Sequence, residues 1–155
     1  MTASFVGNSG NRRAFLKVDS IEKLTRKAVR SALYISGIGL KRNANTEILK
    51  KPKGGRTYIR KDRAGRKRRH VASAPGETHA NMSGTLRRSL GFKVGGRDQL
   101  EFGYGVENVP APDYAEPVEF GSAKMAARPT IQNAIKSERR NIINNIEHEV
   151  IRAMK

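Results

Sequence analysis

The sequence predicts an α+β fold: a small antiparallel β-sheet packed against a long N-terminal helix, with a C-terminal helix and a projecting basic hairpin or loop. Three patterns point to it. Ile21, Leu24, Ala28, Ala32 and Ile35 recur three and four apart, the period of one helix face. Leu100, Phe102, Tyr104 and Val106 alternate strictly, the period of one strand face. Ile131, Ile135, Ile142, Ile146 and Val150 return to a helical stripe. A chain of 155 residues is read as one domain with one core.

In chain order, residues 1–17 are polar and glycine-containing and are expected to form a flexible tail. Asp19 with Glu22 three residues on resembles a capping box, so the long helix is placed at 18–50, ending before Pro52. Gly37 and Gly39 each cost about 1 kcal/mol relative to alanine inside a helix, which implies a bend or a close approach by another backbone. Residues 51–74 form a basic arm, in which the segments around Tyr58 and His70, separated by Asp62-Arg63-Ala64-Gly65, read as two short strands and a turn. Pro75-Gly76 is a turn signal. Residues 75–128 hold a short helix, which Ser83 or Thr85 can cap and whose Leu86 and Leu90 share a face, followed by the sheet. Phe92 and Val94, then a turn at Gly95-Gly96, then the alternating run from Leu100 make its strands, with their apolar face on the long helix. Pro110 and Pro112 stiffen the next loop, and residues 114–121 form a tight segment. Pro129 opens the last helix, 129–155, with Glu138, Arg139 and Arg140 on its wet face.

Charge is segregated. Lys and Arg number 31 against 14 Asp and Glu, a net +17 that self-repulsion makes unfavourable unless a polyanion shares it. Residues 41–70 hold thirteen Lys and Arg against Glu47 and Asp62, a net +11. Residues 98–119 hold six acidic residues and no Lys or Arg. The arm offers Tyr58 as a stacking surface and no helix-turn-helix or RNP-like pattern surrounds it, so duplex DNA is expected to be held through backbone phosphates without sequence preference. The DNA-facing candidates are Lys50, Lys51, Lys53, Arg56, Arg60, Lys61, Arg63, Arg66, Lys67, Arg68 and Arg69.

Catalysis has little support. With no cysteine, disulfides, thiolate metal sites and cysteine nucleophiles are excluded. His70, His79 and His148 are scattered without metal-ligand spacing, Ser83 and Ser89 have no evident base, and Gly103-Tyr104-Gly105 lies in a strand rather than a phosphate loop. No cofactor and no metal are expected. No leader-like apolar stretch opens the chain and no run approaches the ~20 apolar residues that cross a bilayer, so a soluble protein without a membrane partner is expected.

Four stretches in order, SAPGE at 73–77, SGTLRRSL at 83–90, YAEPVEFGS at 114–122 and MAARPTIQNAI at 125–135, resemble the neck or tail-completion proteins of tailed bacteriophages. The resemblance spans about residues 20–150; Thr130, where the family often has an aromatic residue, and Pro117 depart from the pattern. It implies a structural, non-enzymatic virion protein, assembled in the host cytoplasm and located at the head-tail neck or the top of the tail. It further implies a homo-oligomeric ring, six-fold, that joins tail to head and lets double-stranded DNA pass, with head-closure or connector, tail-terminator and tail-tube proteins as partners. On that reading Tyr114, Glu119, Phe120, Arg128 and Pro129 meet an adjacent subunit or ring, although core packing accounts equally well for Tyr114 and Phe120. The rival assignments are a tail-terminator or head-closure ring of the same neck, and a cellular nucleic-acid-binding protein without sequence preference.

Overall fold

The computed structural model describes residues 9–61, 64–96 and 98–155, with side chains described from Glu22 onward. Its elements are helix α1 (Ser9–Leu49), strands β1 (Thr57–Lys61) and β2 (Lys67–Val71), helix α2 (Thr85–Arg88), strands β3 (Leu90–Val94) and β4 (Leu100–Tyr104), and helices α3 (Ala115–Phe120) and α4 (Ile131–Ala153). The class is α+β, with two separate two-stranded antiparallel sheets, β1-β2 and β3-β4.

At 41 residues α1 is about 60 Å long. It begins at Ser9, so helix occupies backbone assigned to the expected flexible tail, and residues 1–8 lie outside the described residues. Helix α4 runs antiparallel along it: Asn43 Nδ2 donates to Glu138 Oε1 at 3.0 Å and Asn145 Nδ2 donates to Ser36 Oγ at 3.2 Å, so later α4 residues meet earlier α1 residues. Leu40, Ala44 and Ile48, four apart on α1, form the core with Leu90 and Ala134, and Leu100, Phe102, Tyr104, Ile131 and Ile142 pack against it.

The buried stripe of α1 lies beside the expected one. Ala28 and Ala32 are buried as read, but Leu24 and Ile35 are exposed. Ser36 and Gly37 take the inner position because only small residues fit where α4 and β3 approach. At Gly37 an added Cβ would overlap the ring of Phe92, so the close approach is by a side chain rather than by another backbone. Phe92 in turn meets Tyr34 edge-on, with ring centroids 5.5 Å apart. In α4, Ala134 is buried where Ile135 was expected, and Glu138, assigned to the wet face, faces α1 through its bond from Asn43.

The middle of the chain forms as read, with local corrections. Strands β3 and β4 pair Phe92 with Phe102 and Leu90 with Tyr104, and the sheet lies on α1. Val106 falls outside β4, because the chain turns at Gly105, whose N–H donates to Ser89 O at 2.8 Å. Helix α2 is a single turn with Gly84, not Ser83 or Thr85, at the N-cap position, although Ser83 Oγ still accepts from Thr85 N–H at 3.3 Å; Leu86 is buried there, and buried Leu90 already belongs to β3. Pro75-Gly76 makes the expected turn: Gly76 has φ 81, a value open chiefly to glycine, and Glu77 N–H donates to Ala74 O at 3.2 Å. The segment at 114–121 is helix α3, with Pro117 within its first turn, where a missing N–H breaks no helical bond. Helix α4 starts at Ile131 with Thr130 as N-cap, which leaves Pro129 just outside the helix it was expected to open.

The packing at Gly37 sets a test. Gly37→Ala gains about 1 kcal/mol of helix propensity and forfeits about 1–3 kcal/mol to overpacking against Phe92. Denaturant titration is expected to show net destabilisation in the wild-type background and stabilisation by up to about 1 kcal/mol in a Phe92→Ala background.

Candidate nucleic-acid interface

The β1-β2 hairpin stands apart from the core. Its register pairs Tyr58 with His70, Ile59 with Arg69, Arg60 with Arg68 and Lys61 with Lys67. Opposed residues share a face, so Tyr58, His70, Arg60 and Arg68 lie on one side and Ile59, Arg69, Lys61 and Lys67 on the other. Two of the five pairs place like charges directly opposite, an arrangement that disfavours the ladder. The guanidinium of Arg56 lies 5.9 Å from the centre of the Tyr58 ring.

Of the DNA-facing candidates, Lys50, Lys51, Arg56, Arg60, Lys61, Arg66, Lys67, Arg68 and Arg69 are exposed on or beside the hairpin, while Arg63 lies outside the described residues. Lys53 is the exception. Its Nζ turns inward, donating to Glu47 O at 2.7 Å and Thr78 O at 3.3 Å, so it caps the C-terminal end of α1, where a cation suits the helix dipole. Burial lowers its pKa, with Glu77 and Glu47 pulling the other way.

Two polar knots anchor the hairpin. In the first, the Glu77 carboxylate accepts from both ends of the arm, Ala74 N–H at 2.8 Å and Gly54 N–H at 3.1 Å. These two bonds, Ala74 first, hold its pKa below the ordinary carboxylate value. In the second, Glu119 is buried with its carboxylate on the start of α4, accepting from the N–H groups of Thr130 at 2.8 Å, Ile131 at 2.9 Å and Gln132 at 3.2 Å. Thr130 Oγ1 lies 2.8 Å from His79 Nδ1, and the Tyr104 hydroxyl lies 3.3 Å from the same nitrogen. Burial pushes the His79 pKa down to about 4, with Lys53 adding to the effect, so its ring is neutral near pH 7. Burial pushes the Tyr104 phenol up.

The candidate interface residues divide. Tyr114 and Phe120 are exposed, Phe120 by 66%. Glu119 is 2% exposed and cannot reach another subunit, because its carboxylate serves α4. Arg128 is partly turned into its own chain, with Nε donating to Ser73 O at 3.1 Å and Nη1 to Ala126 O at 3.2 Å, and Pro129 is half-buried beside it. In the acidic stretch, Glu107 is committed to Lys41 Nζ at 2.8 Å and to Phe92 N–H at 3.1 Å. Glu101, Asp113 and Glu116 remain on the surface. Among the described residues no helix is long and apolar enough to cross a membrane.

Sequence reasoning missed Glu77 and the Glu119, Thr130, His79, Tyr104 knot. The first had a trace: a carboxylate two residues after Pro75, beside a turn whose amides need acceptors. The second joins positions up to 51 residues apart and has no local period.

Removing the Glu119 carboxylate leaves three N–H groups at the start of α4 without their acceptor. Glu119→Ala is expected to destabilise the fold by about 2–4 kcal/mol and Glu119→Gln by less, as read by thermal or denaturant unfolding. Glu77 gives a pH test. Because its folded pKa is depressed, its contribution is complete above the ordinary value of 4.5 and is lost as pH falls through the folded pKa. Hydrogen-exchange protection at Gly54 and Ala74 is expected to fall on acidification below that point in the wild type, and to show no such step in Glu77→Gln.

No protein-family model, curated protein or solved structure matches this chain.

Proposed function

We propose that this chain is a structural protein of the head-tail neck of a tailed bacteriophage, a multi-copy ring component that completes the tail and touches DNA in passage without chemistry of its own. The observation that carries the reading is the hairpin. Its exposed Lys and Arg stand on an element outside the shared core of α1, α4, β3 and β4, so the charge is concentrated on a projecting part of the surface. The four ordered stretches that resemble the neck family supply the context. Interactions of long cationic side chains with phosphates are individually weak and read no bases, which suits a surface that must hold a genome and still let it slide.

The test replaces Arg66, Lys67, Arg68 and Arg69 by glutamine. Duplex affinity of the purified protein is expected to drop at least about tenfold at low salt, and the slope of log affinity against log salt to shrink by up to about 0.9 for each phosphate that is no longer neutralised. Particles carrying the variant are expected to join heads to tails poorly or to leak DNA, and a label on the protein is expected at the neck by electron microscopy. Normal joining and infectivity, or a label on the outer wall of the particle, overturns the reading.

A further inference from the structure

A groove of about 590 Å³ lies between the hairpin and the body of the protein. Tyr58, Arg60 and His70 line it from one face of the hairpin, and Tyr114, Val118 and Arg128 line it from the body, with Met82 and Met125 between. Ser73 and His79 also line it, and Ser73 Oγ and His79 Nε2 are buried with no hydrogen-bond partner among the described residues. The cleft combines tyrosine rings, apolar side chains and arginines. Such a lining suits a peptide better than a phosphate backbone, since an anion loses hydration against Met and Val while a proline or valine side chain gains from that contact.

The chain carries such a peptide on its own surface. Residues 107–113, Glu-Asn-Val-Pro-Ala-Pro-Asp, form a loop on which Val109, Pro110, Ala111 and Asp113 are exposed. Pro110 and Pro112 restrict φ, and Glu107 pins the loop's root to Lys41 and Phe92, so the loop loses little freedom on docking. None of residues 107–113 lines the groove of its own chain.

We propose that the groove receives this proline-stiffened acidic loop from a second copy of the chain. Val109 and the prolines lie against Tyr58 and Tyr114, and Asp113 meets Arg60 at the rim. Loop and groove are different surfaces, so the contact is heterologous: each copy offers one of each, and repetition builds a ring when the rotation closes. The inference rests on the multi-copy reading above and assigns the surfaces that copy meets copy through.

Charge reversal tests it on nuclease-treated full-length protein, with mass measured by sedimentation velocity across concentration. Arg60→Glu and Asp113→Arg, both at exposed positions, are each expected to cut the assembled fraction at least about tenfold, since like charges then face each other. In the first variant the new carboxylate lies across the ladder from Arg68, so the hairpin itself is not weakened. The double variant, with the charges exchanged, is expected to recover assembly to within about threefold of the wild type. Single variants that assemble normally overturn the proposal, as does a wild-type protein that stays monomeric at every concentration. Assembly that disappears on nuclease treatment also overturns it, because nucleic acid is then what bridges the copies. The neck assignment survives each of these results and fails separately, on the position of the label in the particle.

Discussion

One buried carboxylate meets three backbone N–H groups at the start of α4, and the junction of α3, α4 and the hairpin root depends on that meeting. Those N–H groups have no partner within their own helix and carry the positive end of its dipole. A carboxyl group is tolerable in the interior only where hydrogen-bond partners surround it. Each side therefore satisfies the other, and α3 is fixed against α4. The tie extends further because Thr130 also holds His79, which belongs to the segment leaving the hairpin. Hairpin root, α3, β4 through Tyr104, and the first turn of α4 thus converge on one polar point. The turn at Gly76 adds to it: its N–H donates to Ala127 O at 3.0 Å, and its carbonyl accepts from Asn133 at 3.2 Å.

The apolar core adjoins this polar point, with Ile131 and Tyr104 belonging to both, and the two parts use different physics. Leu40, Ala44 and Ile48 present small and medium side chains to Ala134 and to the β3-β4 sheet, so α1 and α4 come close along their shared length. The hairpin contributes nothing to that cluster. It is joined to the body by directional bonds at its root, from Glu77 and from the Lys53 ammonium on the end of α1. Repulsion within the arm therefore acts on an element whose displacement opens no cavity in the core.

How much of this was legible in the sequence depended on whether a feature repeats locally. The helices, the alternating strand and the basic hairpin were legible because period and turn chemistry act over a few residues. The phase of the α1 stripe was not, since Ser36 and Gly37 face inward for steric reasons that hydropathy does not encode; their neighbours Phe92 and Asn145 are distant in sequence. The start of α4 was displaced from Pro129 to Ile131 because the deciding group, Glu119, arrives from another helix. Thr130 illustrates the same point. Its buried hydroxyl lies 2.8 Å from His79 Nδ1, a partner 51 residues away that no local pattern reveals. Of the candidate surface residues, Lys53 and Glu119 were misplaced for one reason: a charged side chain looks solvent-facing in a sequence whenever its internal partners are backbone atoms.

The hairpin's own sequence is poorly suited to standing alone. A two-stranded ribbon is marginal in water even with a hydrophobic face, and here Arg60 faces Arg68 and Lys61 faces Lys67 across the ladder, while Ile59 is 74% exposed. Stability alone does not account for that choice of residues, since opposite charges at the same positions would favour the ladder. Under the proposed function the pattern makes physical sense on the face away from the groove, where phosphates placed over Lys61, Lys67 and Arg69 would offset the repulsion and release counterions. On that proposal the unfavourable term would belong to the free arm and be relieved on binding, so that a polyanion would order the hairpin it binds. Glu77 and Lys53 act at the root alone: their hydrogen bonds to Ala74, Gly54, Glu47 and Thr78 fix where the arm leaves the body, and the exposed side chains along β1 and β2 lie beyond them.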